Sequence, residues 1–173
     1  MSNILESEAT MKREIRIFVC YAHRNQKTAT EFIERFKDYV SPSKNFKYIF
    51  WRDVELLVGQ DWNHQIEQNL KDCDCAILLL STAFLNSNYI KKIEIPRLQD
   101  AQKMIFPVAL SKLNFENHDL IGLEKYQIFR LEHRDFNEAK EYNSLSNEIR
   151  KDEFVDRLFV QIEKRLESFY SKS

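Results

Sequence analysis

Four histidines and three cysteines are the side chains of this 173-residue chain best suited to metal binding or nucleophilic work. Neither set has the spacing that work needs. His23, His64, His118 and His133 are scattered, without the short intervals that zinc ligands keep, and no metal centre is expected. Cys20, Cys73 and Cys75 are odd in number, and two of them lie in apolar surroundings, which makes no disulfide framework. There are only two glycines, where average usage of roughly 7% would give about twelve. Two glycines far apart build neither a dinucleotide fingerprint nor a P-loop. Any phosphate would have to be held without a glycine-rich turn. Pro96, two residues after Glu94, has no N–H for the carbonyl of Lys92 and breaks or kinks a continuing helix. Glu94 is therefore expected at a helix junction. The alternative is a helix that restarts at Pro96 and leaves Glu94 as a surface glutamate.

Composition narrows the classes further. Lys plus Arg number 26 and Asp plus Glu 27, a formal net charge of −1. Such a balance has no electrostatic footprint for nucleic acid or an anionic membrane, and neither partner is expected. Hydrophobic residues at 43% and charged residues at 31% are those of an ordinary globular domain. Met1 to Glu14 is polar and carries no apolar core of a signal peptide. The longest apolar stretch, Ala76 to Leu80, is too short to span a bilayer. A reduced, cytoplasmic location is expected.

Strands and helices alternate along the chain. Ile15 to Tyr21 is rich in β-branched and aromatic residues and predicts a buried strand. Thr28 and Glu31 form a capping box before a helix with Ala29, Ile33, Phe36 and Val40 on one face. Phe46 to Trp51 predicts a second strand, followed by a loop over 52–61. Asp61 caps a helix facing inward through Trp62, Ile66, Leu70 and Cys73. Cys75 to Leu80 is apolar at every position, which predicts a central strand covered on both faces. A helical stretch from Thr82 to Lys103, interrupted at Pro96, leads to a fourth strand, Met104 to Leu110. Pro107 favours an edge or a strand end there. Tyr126 to Leu131 predicts a short fifth strand. Residues 132–152 are expected as a solvated connection to a last helix facing inward through Phe154, Leu158, Ile162 and Leu166.

Five alternations predict an α/β fold: a flavodoxin-like five-stranded parallel sheet, order 2-1-3-4-5, flanked by helices. Residues 1–14 are expected as a polar N-terminal tail and 15–170 as one domain. Ligands of such sheets bind beyond the carboxyl ends of the strands, which singles out Ala22 to Asn25, Arg52 to Gln60, and Ser81 onward.

The residues at those places resemble a bacterial TIR (Toll/interleukin-1 receptor) domain. The signs are Cys20-Tyr21 at the first strand end, Trp51-x-Asp53 at the second, and Gly59-x-x-Trp62 before the second helix. Leu80-Ser81 ends the third strand, and Ser87-x-Tyr89 precedes Glu94. They keep the family's order and spacing over roughly residues 15–131. The resemblance implies NAD⁺ as a substrate, with no cofactor, cleaved at the nicotinamide–ribose bond to ADP-ribose or a cyclic isomer. It places the catalytic carboxylate at Glu94, a group suited to the cationic ribose that such a cleavage generates. It also implies a setting in antiphage defence or host interference. For the nucleotide it implies Ala22, His23 and Arg24 after the first strand, Arg24 being able to neutralise pyrophosphate. Glu55 matches an acidic ligand contact. Trp51 could stack on nicotinamide or adenine, although an aromatic at a strand end also serves as core. Asp53 shapes its turn. Many bacterial members carry a Trp four residues before the glutamate. Ile90 stands there, and the neighbouring Tyr89 is the candidate substitute.

Members of the family also assemble with themselves, so a homo-oligomer is expected. The apolar run Leu56-Leu57-Val58, in a loop otherwise facing solvent, has the character of a contact surface. The alternative reading is a non-enzymatic module that signals by self-association alone. A response regulator is disfavoured because Tyr21-Ala22-His23 lacks the acidic cluster that class needs at the first strand end.

Overall fold

A computed structural model of the chain describes residues 12–52 and 62–172. Asp53, Glu55, the Leu56–Val58 run, Gly59 and Asp61 lie outside the described residues. At the centre is a parallel sheet of four strands, β1 (Arg13–Cys20), β2 (Phe46–Arg52), β3 (Cys75–Leu80) and β4 (Met104–Ala109), in the order β2-β1-β3-β4. Its helices are α1 (Gln26–Val40), α2 (Trp62–Asp72), α3 (Thr82–Asn86), α4 (Ile95–Asp100) and α5 (Glu148–Ser171). This is the expected α/β arrangement.

Alternation along the strands sorts the core into two layers. Ile15, Ile17 and Val19 of β1 and Cys75, Ile77 and Leu79 of β3 face one layer. There they meet Phe32, Ile33 and Phe36 of α1 and Phe154, Leu158, Ile162 and Leu166 of α5. Phe18 and Cys20, with Ala76, Leu78 and Leu80, face the other layer, built from Ile66 and Leu70 of α2, Phe84 of α3 and Leu98 of α4. All six β3 side chains are fully buried, as a strand with both faces covered requires. Each large apolar side chain so buried contributes about 1.5–3 kcal/mol.

The expected fifth strand is reduced to a single parallel bridge, Val108 to Phe129. The cause lies in the register. Phe129 donates to the Pro107 carbonyl at 2.9 Å and accepts from the Ala109 N–H at 3.0 Å. The backbone groups of residues 107 and 109 thus face away from β3, toward Phe129. The next rung would need an N–H from residue 107 to the carbonyl of Gln127, and proline has none. The Pro107 signal for an edge holds, while the strand beyond it does not form.

Two other expectations shift. Helix α1 begins at Gln26 rather than Thr28, because a 3₁₀ turn, His23–Asn25, runs directly into it and makes the side-chain cap unnecessary. The connection over 132–152 is not simply solvated: Leu131 pairs with Lys140, and Tyr142 and Leu145 are buried. Tyr142 packs edge-on against Phe32 at 5.2 Å between ring centres, and its hydroxyl accepts from Arg35 Nε at 3.1 Å.

Candidate functional site

β1 and β3 are neighbours in register, with Cys20 opposite Leu78, so the segments that leave them are brought together. Between these segments lies a cleft of about 370 Å³. Tyr21, Ala22, His23 and Arg24 line it from the β1 side; Ser87, Tyr89 and Ile90 line it from the segment after β3. Ala22, His23, Arg24 and Tyr89, four of the expected nucleotide contacts, therefore share one concavity. His23 and Arg24 are exposed and Tyr89 is half-buried.

Two serines shape this cleft. Ser81 follows the apolar run of β3 and caps α3, its hydroxyl oxygen accepting from the Phe84 N–H at 3.0 Å. The same hydroxyl donates to Asn25 Oδ1 at 2.6 Å. The Asn25 N–H in turn donates to the Ala22 carbonyl at 2.8 Å. Through this chain the capping group of one segment fixes the turn of the other. Ser87 performs a similar task downstream, its hydroxyl oxygen accepting from the Ile90 N–H at 3.3 Å.

Glu94 occupies the helix junction expected from Pro96. Ile90–Glu94 is a π-helical turn in which the Ile95 N–H reaches past one carbonyl to that of Ile90. Pro96 then stands in the first turn of α4. Local i→i+5 turns of this kind relieve a missing donor and recur at functional sites. The turn buries the two consecutive side chains Glu94 and Ile95, at 1% and 4% exposure. Glu94 Oε2 accepts a hydrogen bond from the Cys20 thiol. Both partners adjoin the cleft: Cys20 precedes Tyr21, and Ile90 opens the turn that ends in Glu94. The carboxylate itself is not among the groups that line the cavity.

Trp51 packs half-buried against the second core layer, with the Arg16 guanidinium 6.0 Å from its ring, and does not line the cleft. Glu55 lies outside the described residues. Among the described residues no group of three His, Cys, Asp or Glu side chains gathers where one metal ion could be held.

Sequence reasoning passed over Asn25 and the role of Cys20. Ser81 does carry a local signal, its place between an apolar strand and a helical stretch, which is an N-cap position. Asn25 and Cys20 carried no such signal, because their partners lie far away in sequence and depend on the β1–β3 register.

The chain is matched over residues 17–146 by the family described as TIR domain. No curated protein matches it.

Proposed function

The chain belongs to the TIR domain family, and from that premise we propose that it cleaves NAD⁺ at the nicotinamide–ribose bond, with Glu94 as the catalytic carboxylate. TIR domains take part in NAD chemistry and in signalling through self-association. The observation that carries the enzymatic reading is the carboxylate held on a π turn beside a cleft lined by Ala22, His23, Arg24 and Tyr89.

The chemistry suits this set of groups. The bond from ribose C1′ to the pyridinium nitrogen breaks, and its electron pair leaves with nicotinamide as a neutral molecule. No acid is needed for that departure. The ribose acquires oxocarbenium character, and a fixed carboxylate opposes the developing charge. Water adding at C1′ gives ADP-ribose; an adenine nitrogen adding there gives a cyclic isomer. Arg24 faces the pyrophosphate, and Tyr89 supplies a ring for a planar base. Antiphage defence or host interference is the setting proposed for this activity.

At 1% exposure, Glu94 meets a ribose only when the residues over it shift. This supports a domain that is idle as a single copy and completed by a neighbour. The same burial also favours a second reading, an interaction module in which Glu94 is structural.

Glu94→Gln separates the two. The amide keeps the shape and an oxygen for the Cys20 thiol but loses the charge. Removal of one preorganised electrostatic contact costs about 2.7–4 kcal/mol. Chromatography of nicotinamide and ADP-ribose products is expected to show less than a tenth of the wild-type rate, with thermal unfolding unchanged. A variant that keeps the wild-type rate is incompatible with Glu94 as the catalytic group.

A further inference from the structure

We propose that Cys20 is a positioning residue for Glu94, its thiol fixing Oε2 and with it the orientation of the carboxylate. The proposal rests on the reading of Glu94 as the catalytic carboxylate. A glutamate has three rotatable side-chain bonds, and catalysis by a carboxylate needs it held in one orientation. Two features of the fold hold this one. Within the π turn and the residue after it, Glu94 and Ile95 both lie buried. The last residue of β1 then meets it with a hydrogen-bond donor.

The surroundings make that donor consequential. Cys20 is fully buried in the layer that contains Ile90, Ile95 and Leu98. A carboxylate placed among such groups is costly unless hydrogen-bonded. A thiol is a weak donor. It orients the carboxylate while taking little of the negative charge that the ribose cation requires. The position of Cys20 is set by β1, whose parallel pairing to β3 runs from Ile17–Cys75 to Cys20–Leu78. The carboxylate is thereby referenced to the sheet rather than to the short helices around it.

The test compares wild type, Cys20→Ala and Cys20→Ser in the full chain, measuring kcat and KM for NAD⁺ alongside thermal unfolding. Cys20→Ala is expected to lower kcat about tenfold or more, the scale of a misplaced reacting group, with KM unchanged. Cys20→Ser keeps a donor and is expected to restore most of that loss. A second measurement needs no turnover. The S–H stretching band assigned to Cys20, by its loss in Cys20→Ala, should move to higher frequency in Glu94→Gln, because an amide is a weaker acceptor. Full kcat in Cys20→Ala, increased kcat in Cys20→Ala, failure of serine to rescue, or an unmoved S–H band each overturns the positioning role alone. A wild-type protein that leaves NAD⁺ intact overturns it together with the proposed reaction.

Discussion

The Ser81 hydroxyl lies 2.6 Å from Asn25 Oδ1, tying the helix after β3 to the turn after β1. The two residues act on different properties. Asn25→Ala frees the His23–Asn25 turn without removing a cap, and is expected to raise KM for NAD⁺ about fivefold, the net worth of one hydrogen bond, at nearly constant kcat. Ser81→Ala removes the same tie and the α3 cap, and is expected to lose about 1 kcal/mol of stability as well. Steady-state kinetics with denaturant unfolding distinguishes the pair; equal KM in Asn25→Ala and wild type would show that the tie does not shape the nucleotide site.

A shielded Glu94 predicts turnover that depends on protein concentration. Specific activity is expected to rise with concentration, in step with self-association seen by sedimentation. Leu57→Asp should depress both, since a charge cannot be buried in an apolar contact without a partner. Constant specific activity of monomers over a wide dilution range is the contrary result.

Gln102 offers a stability prediction remote from the site. It follows α4 with φ 53°, its N–H bonding to the Gln99 carbonyl at 3.0 Å and that of Lys103 to the Leu98 carbonyl at 3.0 Å. This is a Schellman closure with glutamine in the left-handed position that favours glycine. Gln102→Gly removes a steric cost of about 1–2 kcal/mol and adds an entropic one of roughly 0.5–1 kcal/mol. The net expectation is a gain of about 0.5–1 kcal/mol, read as a higher midpoint in thermal unfolding.

The buried thiols predict alkaline lability. Burial pushes Cys73 up to about 11 from an ordinary value of 9.0, with the Lys103 charge pulling the other way. Burial raises Cys75 as well. The unfolded chain therefore releases these protons first as pH rises, so their contribution to stability is full below about pH 9 and is lost through the folded values. Native protein at pH 8 should resist alkylation, while stability measured in denaturant falls from about pH 9 upward. Rapid alkylation of the folded protein at pH 8 would contradict this.

What could be read from the chain depended on whether a signal was local. The six apolar residues of β3 announce a strand covered on both faces without reference to anything else. Pro96 likewise marks a break beside Glu94, and the π turn is found there. Pro107 shows the limit. Its presence in an apolar run says edge, but only the β3–β4 register says that its missing donor points outward and ends the fifth strand. The burial of Tyr142 was hidden by the charged residues around it, though Tyr142 and Leu145, three apart, were the trace of an inward face. The contact of Cys20 with Glu94 spans 74 residues, and no pattern within either segment encodes it.

The place of Pro107 on the edge-facing side of the β4 backbone also bears on how copies of this domain can meet. A sheet edge with its donors in place is a template on which another chain can lay a strand. On the β4 side, the Ala109 N–H is already given to Phe129, and position 107 has none to give. Growth of one continuous sheet from copy to copy is interrupted at this edge. A contact that another copy makes on the β4 side is then a fit of surfaces rather than an extension of the ladder. A contact of that kind separates without unzipping a strand.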